Sequence, residues 1–203
     1  MIVGIVDYGM GNVHSLYGAL NELNVKKVIY DNRLSQLKNC DKLILPGVGA
    51  FSKAMQKIHK YHLNQTLNEL VNEKRIPILG ICLGLQLLAT DSVEGGYVEG
   101  LDFFKANVLK FNTISMKVPH TGFNQINFKK QTRLFENINN NSDFYFVHSY
   151  RIKNTVEKLN STCIYGEKFI SSIEKDNIAA VQFHPELSQK NGLKLLKNFL
   201  HKF

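Results

Sequence analysis

Short apolar runs alternate with helical periodicity through the first half of the chain. Residues 2–7 (Ile-Val-Gly-Ile-Val-Asp) form a β-branched run that predicts a buried strand. After a Gly-Met-Gly-Asn break, apolar side chains recur at helical spacing, at Val13, Leu16, Tyr17, Leu20 and Leu23. The alternation continues through predicted strands 27–30, 42–45 and 76–81 and predicted helical stretches 52–74 and 83–89. Such alternation favours a mostly parallel central sheet flanked by helices on both faces.

The second half of the chain has a different pattern. Short strand-like segments separated by turn residues occur at 107–111, 125–128, 144–147, 161–165, 169–173 and 179–183. We expect antiparallel pairing there, followed by an amphipathic helix over residues 191–203. No repeat, low-complexity tract or linker interrupts the chain. The pattern therefore predicts one α/β domain over residues 1–203, with an antiparallel, strand-rich second half.

Composition narrows the class of protein. Hydrophobic residues make up 44% and charged residues 21% of the 203 residues, which is ordinary for a globular protein. No apolar run reaches the roughly 18 residues of a membrane span, and the first residues lack the features of a secretory signal. We therefore expect no membrane association and a cytoplasmic location.

Charge and cysteine content exclude further classes. The formal charge is +8, but only four of the 25 basic residues are arginines and the lysines are dispersed. That pattern argues against nucleic-acid binding, because base readout favours clustered arginine. The three cysteines are odd in number and widely spaced, which disfavours both a disulfide framework and a zinc site. We expect no metal and no cofactor.

A cysteine lies at the strongest local motif, Gly-Ile-Cys-Leu-Gly at residues 80–84. An apolar strand runs directly into a helix there, with a glycine two residues to each side of Cys82. This is the nucleophile-elbow pattern with cysteine in place of serine. The helix N-terminus favours the thiolate form of the cysteine. Taken alone, the motif fits a buried structural cysteine equally well.

A second motif, Phe-His-Pro-Glu at residues 183–186, ends a predicted strand. A nucleophilic thiol needs a base, and that base needs an acceptor on its other ring nitrogen. His184 and Glu186 supply both, so the pair favours a Cys82–His184–Glu186 triad over a solvated strand end.

A third motif, Pro-Gly-Val-Gly at residues 46–49, follows another predicted parallel strand. Ligands bind beyond the carboxyl ends of such strands. Backbone N–H groups in this turn could bind the oxyanion of a tetrahedral intermediate. The alternative is an ordinary tight turn, which is disfavoured because the Cys82 motif follows a neighbouring predicted strand.

Together with His-Ser-Tyr at residues 148–150, these motifs resemble the class I, or triad, glutamine amidotransferases. Two further segments, Asp-Tyr-Gly-Met-Gly-Asn at 7–12 and Pro-His-Thr-Gly-Phe-Asn at 119–124, are similar to the glutaminase subunits of imidazole glycerol phosphate synthase. The resemblance covers essentially the whole chain. It implies the class I glutamine amidotransferase fold and hydrolysis of L-glutamine to glutamate and ammonia.

The resemblance also implies a role for individual residues. Cys82 is the nucleophile, His184 the acid and base, and Glu186 its orienting partner. The oxyanion donors are assigned to Gly47, Val48 and Leu83. Binding of the amino-acid end of glutamine is assigned to Gly49, Gln86, His148, Ser149 and Tyr150. The implied partner is a separate (βα)₈-barrel synthase subunit in a heterodimer. This subunit receives the ammonia and makes imidazole glycerol phosphate and AICAR for histidine biosynthesis. The residues expected to contact it are Asn12, Phe123, Asn124 and Leu187.

Departures from the family pattern, which include the lack of an expected second glycine in residues 100–104, leave the pathway open. Phe123 replaces the usual tryptophan, and Leu187 replaces the lysine that usually follows the His-Pro-Glu motif. Both leave the triad residues unchanged and lie at positions expected to contact the partner subunit. A paralogous glutaminase that supplies ammonia for sugar amidation in surface-glycan synthesis is therefore the alternative. A cysteine peptidase or deglycase is disfavoured because Leu83, not histidine, follows Cys82. A non-catalytic subunit is disfavoured because the triad is complete.

Overall fold

The computed structural model describes residues 1–112 and 116–203. Within them, one sheet contains thirteen strands. The strands are β1 (Ile2–Val6), β2 (Lys27–Asp31), β3 (Lys42–Leu45), β4 (Ile78–Ile81), β5 (Asp91–Ser92), β6 (Val98–Glu99), β7 (Ala106–Lys110), β8 (His120–Phe128), β9 (Asp143–His148), β10 (Tyr150–Thr155), β11 (Leu159–Tyr165), β12 (Glu167–Lys175) and β13 (Ile178–Val181). The α-helices are α1 (Val13–Glu22), α2 (Leu34–Leu37), α3 (Phe51–Lys60), α4 (Leu63–Leu67), α5 (Leu83–Leu87) and α6 (Gln189–Lys202).

Five strands form a parallel unit in the order β2-β1-β3-β4-β13. Every residue of β3, β4 and β13 is buried, as expected for parallel strands covered on both faces. The predicted mostly parallel central sheet is confirmed. β13 departs in part from the antiparallel pairing expected of the second half. It is antiparallel to β12 but parallel to β4, because it returns to the middle of the sheet.

The remaining strands build the predicted antiparallel half, apart from β5, which pairs parallel with β7. β12 pairs antiparallel with β10, β11 and β13, and β8 lies between β11 and β9. The predicted strand 125–128 is only the end of β8, which begins at His120. The strands β5, β6 and β10 were missed by the sequence pattern. β10 reads Tyr-Arg-Ile-Lys-Asn-Thr and has no long apolar run. It is a strand because it pairs with β7, and the sequence pattern does not show that pairing.

Two hydrophobic clusters cover the two faces of the sheet. On one face, α3 and α4 bury Phe51, Met55, Ile58, Leu63 and Leu67. On the other face, α1 and α6 bury Leu16, Leu20, Leu195, Leu196, Phe199 and Leu200. The predicted helical region 52–74 is divided at His62, whose φ of +55° breaks the helix, and it ends in a π-helical turn, Asn68–Glu73. No helix in the described part of the chain is long and apolar enough to cross a membrane.

Gly84, in the first turn of α5, allows this short helix to lie directly on β3. A Cβ added there would fall on the Leu45 carbonyl oxygen, which is backbone and cannot move aside. By contrast, a Cβ added at Gly18 in α1 would meet nothing within 4 Å. The close approach of α5 to β3 therefore depends on one missing side chain.

We expect Gly84→Ala to lower the free energy of unfolding by about 3 kcal/mol or more, because α5 must move away from the sheet. Gly18→Ala is the matched control, and we expect it to raise the free energy of unfolding by about 0.5–1 kcal/mol through its helix propensity. Urea unfolding of both variants measures the difference. Equal stability of the two variants would contradict the packing described above.

Candidate active site

Three neighbouring parallel strands end at the same edge of the sheet, and each is followed by a predicted motif. The register pairs Leu45 of β3 with Gly80 of β4, and Ile81 of β4 with Val181 of β13. The Cys82 amide continues this pairing by donating to the Val181 carbonyl at 2.8 Å. The turns after β3, β4 and β13 therefore meet, and ligand sites of α/β sheets occur at this kind of edge.

Cys82 occupies a strained turn between β4 and α5. Its φ of +54° and ψ of −106° lie outside the regions that non-glycine residues ordinarily adopt. The flanking glycines make the turn sterically feasible, since a Cβ at Gly80 would approach the Gly84 carbonyl to 2.9 Å. Only 6% of Cys82 is exposed. These features match the predicted nucleophile elbow.

His184 and Glu186 lie at the start of the 3₁₀ turn Pro185–Leu187, which follows β13. The His184 Nδ1 and the Glu186 Oε1 are 2.8 Å apart, and each side chain is 6% exposed. The other ring nitrogen, Nε2, is buried with no hydrogen bond of regular geometry among the described residues. The Cys82 sulfur is the interaction partner of the His184 ring on the cavity side.

The charge state of His184 follows from these neighbours. Burial alone lowers the pKa of His184, but the negative charge of Cys82 and the Glu186 carboxylate outweigh burial and raise the pKa to about 10. An imidazolium is therefore the stable form at neutral pH whenever Cys82 is a thiolate. Such a pair places an acid directly beside a nucleophile.

Gly47, after β3, packs against the elbow. A Cβ there would lie 2.8 Å from the Leu83 Cβ and 3.2 Å from the Gly84 nitrogen, and would overlap the Tyr8 hydroxyl. The Tyr8 hydroxyl donates to the Pro46 carbonyl at 2.8 Å. Burial, followed by the negative charge of Cys82, raises the pKa of Tyr8, so it stays a donor. Tyr8 thus fixes the segment that carries the predicted oxyanion donors.

A cavity of about 360 Å³ opens over Cys82 and His184. Nine of the residues predicted for catalysis or binding line it: Val48, Gly49, Cys82, Leu83, Gln86, His148, Ser149, Tyr150 and His184. Glu94, Pro119 and Val147 complete the lining. Gly47 and Glu186 lie behind the wall, where they support Leu83 and His184. The volume falls within the range of small-molecule sites.

Gln86 is hydrogen-bonded at the base of the cavity. Its Nε2 donates to the Tyr150 carbonyl and to the Gln182 Oε1, each at 3.0 Å. The Gln182 Nε2 in turn lies 3.7 Å from the Cys82 sulfur. Hydrogen bonds thus connect Gln86 directly to the Tyr150 backbone and, through Gln182, to the Cys82 sulfur.

Two buried histidines connect the same carbonyl with β8. The His148 Nδ1 donates to the Tyr150 carbonyl at 2.8 Å, the His148 Nε2 meets the His120 Nδ1 at 3.1 Å, and the Asn124 Nδ2 lies 3.3 Å from the His120 Nε2. Because the Tyr150 carbonyl can only accept, His148 carries its proton on Nδ1 and accepts at Nε2. His120 therefore also carries its proton on Nδ1 and accepts from Asn124 at Nε2. Burial lowers the pKa of His120 to about 4 and that of His148 to about 3, so both rings are neutral.

The four residues predicted to contact a partner have different surroundings. Asn12 is exposed just before α1, and Leu187 is 39% exposed. Phe123 is 50% exposed, and its ring contacts the Tyr145 ring at 5.5 Å. The Asn124 side chain instead binds inward, to His120 and to the Ile164 carbonyl at 3.0 Å.

Sequence reasoning assigned no role to five residues at the site, namely Tyr8, Glu94, Pro119, Val147 and Gln182. Tyr8 and Pro119 lie within quoted segments, and Val147 and Gln182 directly precede predicted motifs, so position in the chain was an available signal. Glu94 had none, because a loop remote from every motif brings it to the cavity. Its carboxylate accepts from the Phe51 amide at 2.9 Å, at the start of α3.

Two further features bear on what the site can hold. Among residues 1–112 and 116–203, no group of three or more His, Cys, Asp or Glu side chains is arranged to hold a metal ion. A larger cleft of about 620 Å³ is lined by Lys129, Lys130, Lys153, Lys158 and Lys168. Its lining contains no cysteine, serine or histidine, so the cysteine–histidine chemistry points to the smaller cavity.

Comparison with known proteins agrees with this geometry. The model of the family "Glutamine amidotransferase class-I" matches residues 4–203. The chain is 44% identical over 199 residues to "Imidazole glycerol phosphate synthase subunit HisH 1" of Campylobacter jejuni, covering 98% of both chains. It is also 45% identical to the subunit HisH of Aquifex aeolicus, covering 98% of this chain and 95% of the relative.

Solved structures show the same fold. A crystal structure of a glutamine amidotransferase matches with a TM-score of 0.74 at 19% identity, covering 98% of this chain and 97% of the other. The structure of PurLQS from Thermotoga maritima matches with a TM-score of 0.70 at 18% identity, covering 99% and 98%. The fold, the family model and the relatives agree, and the chain belongs to the class I glutamine amidotransferase family.

Proposed function

We propose that this chain is the glutaminase subunit of an imidazole glycerol phosphate synthase. In this proposal, residues 1–203 act as one domain in the cytoplasm, hydrolyse L-glutamine and pass ammonia to a (βα)₈-barrel synthase subunit that makes imidazole glycerol phosphate and AICAR. The observation that carries the glutaminase chemistry is geometric: Cys82 and His184 line one cavity of small-molecule size, and Glu186 holds the far nitrogen of the His184 ring at 2.8 Å. The names of the relatives at about 44% identity support the pathway over sugar amidation.

The first half of the reaction uses the charged pair. The Cys82 thiolate attacks the side-chain carboxamide carbon of glutamine, and the carbonyl oxygen becomes an oxyanion. The Leu83 amide, at the start of α5, and the segment at Gly47 and Val48 are the donors that stabilise it. The His184 imidazolium gives its proton to the departing nitrogen, so that ammonia leaves and a γ-glutamyl thioester remains on Cys82.

The second half restores the enzyme. His184, now neutral, removes a proton from water, and the resulting hydroxide attacks the thioester carbon. Collapse of this intermediate expels the Cys82 thiolate and gives glutamate, leaving His184 protonated again. Glu186 keeps Nδ1 of the ring in a hydrogen bond throughout, so Nε2 faces the reacting atoms in both halves.

The cavity wall complements the amino-acid end of glutamine. The Glu94 carboxylate lies on the wall and is suited to the α-ammonium group. The backbone at His148, Ser149 and Tyr150 supplies polar groups to the same wall. Because Gln86 uses its Nε2 for two internal hydrogen bonds, its Oε1 is the atom left for substrate.

Exposed apolar side chains around the cavity mouth support a docked partner. Val48 is 40% exposed and Val147 39% exposed, and both line the cavity. Phe123 lies on the same outward face of the sheet as Val147, since β8 pairs Phe123 with Tyr145 and Thr121 with Val147. Leu187 adds a further exposed apolar group next to Glu186. Exposed apolar surface around a reactive site is typical of an interaction surface, and Leu187 favours a neutral partner group opposite it.

We expect Cys82→Ala to abolish glutamate release from glutamine, because no other group in the cavity can form the thioester. In complex with the barrel subunit, the variant should still support synthesis from added ammonium salt, since only the ammonia supply is lost. Glu186→Gln, which orients rather than attacks, should be milder. A folded Cys82→Ala variant that hydrolyses glutamine at the wild-type rate would refute the assignment.

We expect Cys82→Ala to lower the pKa of His184 from about 10, because the variant removes the negative charge beside the ring. The folded pKa is raised above the usual histidine value, so the pair's contribution to stability is complete below about pH 6.5 and is lost as the pH rises through about 10. An NMR titration of the His184 ring carbons measures the shift. Cys40→Ala, a buried cysteine outside the site, is the control, and an equal change in both variants would contradict the pairing.

We expect Phe123→Ala to weaken binding of the barrel subunit by about tenfold, or about 1.4 kcal/mol, because a half-exposed aromatic residue is a typical interface anchor. Tyr97→Ala is the matched control, since Tyr97 is an exposed aromatic residue that lies between β5 and β6 and not on the face of β8 and β9 that carries Phe123 and Val147. Calorimetric titration with the barrel subunit measures both affinities. A loss for Tyr97→Ala as large as that for Phe123→Ala would place the contact elsewhere.

A further inference from the structure

Gln182 is a fully buried polar residue that the mechanism above does not use. It directly follows β13, and the pairing of Ile81 with Val181 places it level with Cys82. The backbone N–H of Gln182 donates to the Ser171 carbonyl at 2.9 Å. The backbones of Gln182 and Cys82 are therefore held side by side by the sheet. Burial of an amide side chain is costly unless its polar atoms are paired, so its partners matter.

The hydrogen bonds define the orientation of the Gln182 side chain. The Gln86 Nε2 donates to the Tyr150 carbonyl, which can only accept, so this atom is identified as the amide nitrogen. The same nitrogen lies 3.0 Å from Gln182, which must present its Oε1 there. The Gln182 Nε2 is consequently directed at the Cys82 sulfur, at 3.7 Å.

The sulfur is thus held between two groups. The Gln182 Nε2 lies on one side, and the Val147 carbonyl lies at 3.8 Å on another. The carbonyl can accept only from a thiol, whereas the amide can donate to a thiolate, so the amide favours the reactive form. Gln182 is not among the residues that line the cavity, so it acts on the reaction through Cys82 and not through the substrate.

We propose that Gln182 is a positioning residue, whose side-chain amide orients the Cys82 sulfur and favours its thiolate. Gln86 has a second task in this arrangement, because its Nε2 prevents the Gln182 amide from rotating. The proposal rests on the assignment of Cys82 as the nucleophile of glutamine hydrolysis.

The test compares Gln182→Met with Asn177→Leu. Methionine keeps the length of glutamine but cannot donate. Asn177 is also a buried amide, at the opposite end of β13 from His184, where it donates to the Val71 and Ile76 carbonyls at 2.9 and 3.1 Å. Replacing it with leucine removes buried hydrogen bonds of similar number without touching the site. Thermal unfolding confirms that both variants are folded.

Two measurements separate positioning from general stability. The first is the rate of Cys82 alkylation by iodoacetamide at neutral pH, followed by mass spectrometry on the full chain. The second is glutamate release in complex with the barrel subunit, resolved into kcat and KM. For Gln182→Met we expect about a tenfold loss in alkylation rate and in kcat with KM within twofold, which corresponds to about 1.4 kcal/mol. For Asn177→Leu we expect both rates within twofold of wild type.

Several outcomes would overturn the proposal. Wild-type rates in folded Gln182→Met would do so, and so would equal losses in both variants, because the effect would then be one of stability. If Gln182→Met does not fold, Gln182→Asn decides by the same rates, since its shorter amide cannot reach both Gln86 and Cys82. Alkylation that abolishes wild-type glutamate release while Gln182→Met reacts normally would remove only the positioning role. Failure of alkylation to affect glutamate release would remove the proposed nucleophile itself.

Discussion

The parallel pairing of β4 with β13 is the constraint on which the site depends. It joins a strand of the first half of the chain to one of the last. Cys82 directly follows β4, and the segment that leads to His184 directly follows β13. The Cys82 amide extends the pairing by one hydrogen bond beyond β4. The strained φ of Cys82 is tolerated because β3, β4 and β13 are buried on both faces and hold the turn in place.

Sequence reasoning was most successful where chemistry and backbone geometry are encoded locally. The spacing of two glycines around Cys82 predicted the elbow, and the apolar runs predicted the parallel strands. It failed where a position is defined by pairing partners distant in the chain. β10 has few apolar residues, and Glu94 reaches the cavity from a loop without a motif. Nor could a linear pattern show that Gln182 lies level with Cys82, since that follows from the β4–β13 register.

Three histidines at or near the site show that burial alone does not determine charge. His120 and His148 are buried among aromatic rings and backbone acceptors, and their pKa values fall to about 4 and about 3. His184 is similarly buried, but the negative charges of Cys82 and Glu186 outweigh burial and raise its pKa to about 10. A buried histidine is therefore neutral in one place and favours the imidazolium form in another, according to whether its neighbours bear charge.

The neutral pair has a further structural consequence. Asn124, His120 and His148 form hydrogen bonds that end on the Tyr150 carbonyl, and Gln86 and Gln182 continue from that carbonyl to the Cys82 sulfur. Each link depends on a defined donor and acceptor, so a protonated His120 or His148 would leave two donors facing each other. Burial keeps both rings neutral and thereby keeps donors and acceptors matched from Asn124 to the Tyr150 carbonyl. Phe123 precedes the first member of this set and points to the opposite, exposed face of β8. Hydrogen bonds thus run from Asn124, the neighbour of Phe123 on β8, to the Cys82 sulfur, while the Phe123 side chain itself lies outside this set.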